Sequence, residues 1–150
     1  MDMLIRLHGP LPLPAVIPGT TVRKPIGPEL DLVVRWVESS FIPPWTSEAR
    51  AALANRPRSL FIAKDATGLP GFACYDATAR GFVGPIGVTP SARGRGIGAA
   101  LLHACLHDMR TLGYGYAVAG HVGEPGFFRH VAHAIEIPDS TPGFYADMLK

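Results

Sequence analysis

Only two of the 150 residues are cysteines, Cys74 and Cys105. Both sit inside apolar runs, "GFACY" and "LLHACLH", far apart in the chain. They read as small buried thiols in a reducing compartment and exclude a disulfide framework. Long hydrophobic runs are missing as well. Nothing approaches the roughly 20 apolar residues that span a bilayer, and "MDMLIRLHGP" has neither the basic leader nor the apolar core of a secretory signal. A soluble, cytoplasmic protein with no membrane partner is expected. Charge of one sign is also scarce. Fourteen Lys and Arg against twelve Asp and Glu leave a net charge of +2, scattered along the chain, so the basic footprint of a nucleic-acid binder is absent. No nucleic-acid partner is expected. At this length the chain is about one domain, which needs no covalent staple because folding buries roughly 70% of the unfolded surface.

Proline is abundant, and its placement divides the chain. "GPLPLPAVIPG" (Gly9 to Gly19) carries four prolines in eleven residues. Fixed φ and missing donors make residues 1–19 an N-terminal arm, extended on the surface or across a neighbouring subunit, and a homodimer is compatible with it. Residues 20–150 form the domain. "TTVRKPI" is strand-like, and "GPELDLVVRWVESSF" has a proline at a helix start and apolar residues at Leu32, Val33, Trp36 and Val37, which is helical spacing. A second helix over "SEARAALAN" takes Thr46 or Ser47 as its cap and stops before Pro57.

The period then shortens. "SLFIAK" and "GFACYDA", joined by "DATGLP", predict a hairpin. "GFVGPIGV" is apolar enough for a central strand, yet Pro85 removes a ladder donor, so that strand bulges or leaves its neighbour there. The longest helix runs from about Gly96 to Leu112. Its apolar arc holds Ile97, Leu101, Leu102, Ala104, Cys105, Leu106, Met109 and Leu112, while His103, His107, Arg110 and Thr111 lie opposite. "YGYAVAG" predicts a strand, "EPGFFRH" a short helix and "AHAIEI" a last strand. The order defines an α+β or α/β domain with a mixed sheet. His103 and His107 are spaced i, i+4 but have no acidic third ligand nearby in sequence, so no metal site is expected.

The segment "VTPSARGRGIGAALL" joins a strand to the long helix. A helix start exposes unpaired N–H groups and a positive dipole end, and glycine removes the Cβ that would hold an anion away from them. Arg93 and Arg95 add charge-assisted donors suited to phosphate. A P-loop would need Lys then Ser or Thr after the last glycine, where Ile97-Gly98-Ala99 stands instead. A dinucleotide fold would need an acid about 20 residues on, and none occurs before Glu124.

The run Arg93-Gly94-Arg95-Gly96-Ile97-Gly98 resembles the (Gln/Arg)-x-x-Gly-x-(Gly/Ala) motif of the GCN5-related N-acetyltransferases (GNAT), and "GPIGVTPSARGRGIGAALL" is similar to that family's strand, linker and helix as a unit. The resemblance implies a mixed, mostly antiparallel central sheet flanked by helices. It would be splayed between the fourth and fifth strands, counted from "TTVRKPI", with acetyl-coenzyme A in the gap. It implies that the backbone of Ile86, Gly87 and Val88 pairs with pantetheine and supplies an oxyanion donor, and that Arg93, Gly94, Arg95, Gly96, Ile97, Gly98 and Ala99 hold the pyrophosphate.

Catalytic side chains are less legible. Relatives often carry a glutamate at the start of the strand before the cradle, where this chain reads "TARGFVG" without an acid. The residues remaining as base are Asp76, His121 and Glu124. Many relatives use a tyrosine to protonate the leaving thiolate, at a place taken here by Phe128, so either the thiolate departs without help or takes a proton from water, or Tyr145 or His121 reaches in. Phe127 and Phe128 read as packing on the pantetheine wall, and Phe41 and Trp45 of "FIPPWTS" as an aromatic acceptor wall. The implied function is transfer of acetyl from acetyl-coenzyme A to an amine by direct attack, since neither cysteine lies in an electropositive, exposed setting. The alternative is a coenzyme-A-binding module without turnover. The acceptor is a small-molecule or peptide amine whose identity the sequence does not specify.

Overall fold

Strict alternation of buried and outward positions in "MLIRL" makes the N-terminus a strand and not part of an arm. A computed structural model describes all 150 residues. In it β1 (Met3–Arg6) lies inside the sheet, antiparallel to β6 (Tyr116–Ala119) on one side and to β7 (Ile135–Glu136) on the other. Met3, Ile5 and Leu7 are fully buried. The expected arm is therefore confined to the proline-rich stretch after β1, and the domain includes the first residues. That stretch lies on its own domain: Arg110 donates to the Gly9 carbonyl at 3.0 Å, the His107 ring meets the Pro12 carbonyl at 2.8 Å, and Ile17 enters the core.

The remaining elements follow the expected order: β2 (Thr21–Arg23), α1 (Leu30–Ser40), α2 (Pro43–Ala54), β3 (Leu60–Asp65), β4 (Gly68–Tyr75), β5 (Phe82–Val88), α3 (Ile97–Thr111) and, after β6, α4 (Pro125–Ala132) and β7. The sheet order is β2-β3-β4-β5-β6-β1-β7, and every pairing is antiparallel except β5 with β6. Helices α1 and α2 cover one face through Val33, Val37, Ala49 and Leu53. Helix α3 covers the other through Ile97, Leu101, Leu102, Leu106 and Met109, with Phe127, Phe128 and Val131 of α4 beside it. Each fully buried Leu or Ile of that arc contributes roughly 1.5–3 kcal/mol.

Two boundaries differ from the sequence expectation. Leu32 is 56% exposed, so it belongs to the outer side of α1. Helix α2 begins at Pro43, a turn before the expected caps, because Pro43 and Pro44 occupy its first two positions, where a missing N–H costs nothing. The shift places Trp45 in the first turn of α2.

A bidentate ion pair fastens β2 to the entry of α1: Arg23 donates to both carboxylate oxygens of Glu29 at 2.8 and 2.7 Å. The Arg23 hydrogen bonds, then the Ile26 N–H, hold the Glu29 carboxyl down at about 2, against an ordinary 4.5. Because the folded value is the lower one, the unfolded chain binds more protons between those two pH values, and stability rises with pH across that window. Glu29→Gln should therefore lower Tm at neutral pH, and the deficit should shrink as pH falls from 4.5 towards 2. Thermal melts of both proteins at a series of pH values check this, and a deficit independent of pH would contradict it.

Candidate active site

The site begins where the ladder fails. β5 and β6 pair only at Phe82 with Val118 and Val83 with Ala119. From Gly84 onward β5 keeps β4 on one side and loses β6 on the other, at the point where Pro85 interrupts the strand. This is the parting expected between the fourth and fifth strands counted from β2. The Thr89 N–H donates to the Pro70 carbonyl at 2.9 Å. By the two-residue alternation of a strand, Gly87 bonds towards β4, while the N–H and C=O groups of Ile86 and Val88 point into the gap.

The wide end of the gap meets the start of α3. Gly96 is its N-cap at φ +82°, and Gly94 stands at φ +80°, left-handed backbone that suits glycine. None of the six N–H groups from Gly94 to Ala99 donates to another group of the chain. They form an array of free donors at the positive end of a fifteen-residue helix. The two arginines diverge. Arg93 donates through Nε to the Val88 carbonyl at 3.3 Å, on the gap side. Arg95 turns away, donating to the Thr20 hydroxyl at 3.0 Å and lying 3.5 Å from the Asp65 carboxylate. Hydrogen bonds from Thr67, followed by Arg95, hold the Asp65 carboxyl below the ordinary range. Phe127 and Val88 flank Gly98, 3.6 and 3.7 Å from where its Cβ would stand, and Phe128 packs edge-on against Phe127. An aromatic side wall thus rises from α4 beside the free amides.

The α1/α2 face of the gap is also aromatic. A Cβ on Gly87 would lie 2.6 Å from the Phe41 ring, so only glycine lets that ring lie against β5. Phe41 in turn packs on Trp36, Trp45 and Phe72, with ring centroids 5.2–5.4 Å apart. One turn along α2 from Trp45 stands Glu48, whose carboxylate accepts a hydrogen bond from the Thr78 hydroxyl of the β4–β5 turn.

At the vertex, the Tyr145 hydroxyl lies against Gly120, on the spot a side chain there would fill. Its ring is 5.5 Å from His121, and Phe144 packs on Phe82 at 5.0 Å. Burial, then the charges of Asp2 and Glu48, push the Tyr145 phenol up to about 12. Buried Asp2 accepts the His121 N–H at 2.9 Å and donates its own N–H to Ser140 at 2.8 Å, which fixes the C-terminal segment over the vertex.

Of the four residues expected to be catalytic, the structure brings two together, His121 and Tyr145. Asp76 is taken up elsewhere. Tyr114 donates to both of its oxygens at 3.0 and 2.8 Å, the Gly81 N–H bonds at 2.7 Å, and its φ of +51° makes it the turn residue between β4 and β5. Glu124 is the exposed N-cap of α4, without a side-chain hydrogen bond. Sequence reasoning missed Glu48, Thr78 and Asp2. The spacing of Trp45 and Glu48 by three residues carried a signal for the first, once the helix is started at Pro43. The Nε2 atoms of His103 and His107 bond to the Val131 and Pro12 carbonyls, so the pair converges on no shared ligand.

A mostly antiparallel sheet opens beside a bare helix start, between helices on both faces, and leaves a gap whose free amides suit an anion. The sequence matches the acetyltransferase (GNAT) family over residues 30–129, and the chain belongs to that family. A GCN5-related N-acetyltransferase from Sphaerobacter thermophilus superposes with a TM-score of 0.71 at 24% identity, covering 89% of this chain and 47% of the other. The GCN5-related glucosamine N-acetyltransferase region of a fungal multi-domain GH3 beta-N-acetylglucosaminidase gives a TM-score of 0.66 at 14% identity over 87% of this chain and 19% of that one. A GNAT family acetyltransferase from Brucella melitensis, in complex with acetyl-CoA, gives 0.50 at 20% identity over 74% and 80%. This chain thus spans about half of the first of these and about a fifth of the second. No curated protein sequence matches it. No helix is long and apolar enough to cross a membrane.

Proposed function

We propose that the chain transfers an acetyl group from acetyl-coenzyme A to a primary amine by direct attack. The observation that carries this reading is the parting of β5 from β6 above six unpartnered amides, Gly94 to Ala99. Those amides suit a pyrophosphate, with Arg93 beside them adding charge. The N–H groups of Ile86 and Val88 and the Ile86 C=O, which face the gap, suit the pantetheine amides in the manner of an added strand, while the Val88 C=O is met by Arg93. With the phosphate end at α3, the thioester falls towards the vertex, where a backbone N–H of Ile86 or Val88 stabilises the charge that develops on its oxygen.

The amine must be unprotonated at nitrogen when it attacks, having given any ammonium proton to water, and approach from the α1/α2 face brings it past Phe41 and Trp45. Tyr145 supplies the proton that the departing thiolate needs. Its phenol, raised to about 12, stays protonated at neutral pH and stands at the vertex beside Gly120, a proton donor that Phe128 cannot be. Direct transfer is favoured over a cysteine intermediate because Cys74 and Cys105 are both fully buried and burial pushes both thiols up.

The test is acceptor-dependent release of coenzyme A thiol, followed with a thiol-reactive dye across a panel of primary amines. Release that depends on both acetyl-coenzyme A and an amine is expected. Tight acetyl-coenzyme A binding with no release for any amine would make the chain a binding module instead, the reading that Phe128 favours.

A further inference from the structure

Glu48 stands out among the acids that border the sheet. Asp65 is met by Arg95, Asp108 by Lys24 at 2.6 Å and by the Tyr75 hydroxyl at 2.7 Å, and Asp76 by Tyr114 and Gly81. Glu48 has one neutral donor, the Thr78 hydroxyl, and no lysine, arginine or histidine within ion-pair distance. It is half-buried and shares the face of α2 that carries Trp45, so its unneutralised charge sits beside the Phe41, Trp45 and Phe72 cluster. A carboxylate held partly out of water costs free energy unless a cation meets it. The electron-rich ring faces beside it are attractive to the same charge.

The position relative to the reaction follows from the chain path. Thr78, which holds Glu48, belongs to the turn that leads into Phe82, and the Phe82 ring lies 2.9 Å from where a Gly120 Cβ would be, at the vertex beside the Tyr145 hydroxyl. Glu48 therefore marks the acceptor side of the vertex, across the sheet from α3.

We infer that Glu48 selects the acceptor: the amine docks as a cation, its ammonium group on the Glu48 carboxylate and its carbon skeleton against Phe41 and Trp45. The inference rests on the amine-acceptor reading above and narrows it to cationic amines with an apolar or aromatic body, against neutral or anionic acceptors of the same shape. Glu48 acts as an anchor for the arriving ammonium, the Thr78 hydrogen bond fixes its rotamer, and the ammonium passes its proton to solvent water before the freed lone pair attacks the thioester.

The experiment compares benzylamine, an ammonium at neutral pH, with benzyl alcohol, its neutral counterpart of similar shape. Both are titrated into the coenzyme-A-saturated protein by intrinsic tryptophan fluorescence, to which Trp45 contributes. Benzylamine should bind at least about 10-fold more tightly than the alcohol, the discrimination that about 1.4 kcal/mol provides. Glu48→Gln keeps the shape and the Thr78 hydrogen bond, and should bring the two affinities together while leaving that for coenzyme A unchanged. Glu48→Asp, which withdraws the charge by one methylene, should fall between them. Equal binding of the two ligands by the unmodified protein, binding of neither, or an ammonium preference that survives in Glu48→Gln would each overturn the inference. Failure of the transfer reading would look different: benzylamine bound with the stated preference and never acetylated.

Discussion

Gly96→Glu should abolish measurable binding of acetyl-coenzyme A, with a loss of at least about 100-fold, or roughly 2.7 kcal/mol, in a calorimetric titration. Two effects contribute and can be separated. Gly96 sits at φ +82°, where any L side chain costs roughly 1–2 kcal/mol of backbone strain, although nothing lies within 4 Å of its Cβ position. Gly96→Ala carries that strain alone, so it should lower Tm by as much as Gly96→Glu does while weakening acetyl-coenzyme A by only a few fold. The carboxylate adds repulsion at the end of α3 where six free N–H groups gather, and competes for them with the pyrophosphate. Part of its effect should be relieved by salt, because the site is open to solvent. Equal losses for the two variants would mean that the glycine matters for the turn alone and that the anion sits elsewhere.

The arginines refine this expectation. Arg95 is held by Asp65 and Thr20, so Arg95→Ala should weaken acetyl-coenzyme A less than Arg93→Ala, whose guanidinium stands on the gap side of Val88. The same titration measures both.

The cradle was legible because its requirements fall on residue types. Left-handed backbone at Gly94 and Gly96 asks for glycine, a free helix start needs no side chain, and a strand that must leave its neighbour announces itself by Pro85, which has no donor. These are local demands within about fifteen residues of sequence. The acceptor side is assembled from distant pieces. Thr78 meets Glu48 across 30 positions and Tyr114 takes Asp76 across 38, and no local pattern marks either pair. An acid at the end of a strand therefore read as a base when it caps a turn, while Glu48 in "SEARAALAN" drew no reading although it shares a helix face with Trp45. β1 was overlooked for a related reason. It is only four residues long, and its burial arises from β6 and β7, more than 100 residues away.

Tyr145→Phe should lower kcat by roughly 100-fold, within the range for loss of a positioned acid, and leave the affinity for acetyl-coenzyme A unchanged. The affinity should hold because the hydroxyl touches the vertex at Gly120 and not the amides at α3. The pH dependence adds a second constraint. With the phenol raised to about 12, Tyr145 remains an acid throughout the neutral and mildly alkaline range, so its ionisation should put no falling limb on the rate there. Above its ordinary value of 10 the unfolded chain loses this proton first, so stability, not catalysis, is what falls as pH rises from 10 towards 12. Gly120→Ala tests the geometry from the other side. Its new methyl group would collide with the Tyr145 hydroxyl and lie 2.9 Å from the Phe82 ring, which forces the tyrosine off the vertex. That variant should reproduce most of the kcat loss of Tyr145→Phe. Because both changes remove the same hydroxyl from the same place, the double variant should be little worse than either single one. Additive losses would mean that the phenol is not acting from Gly120, and that the thiolate takes its proton from solvent.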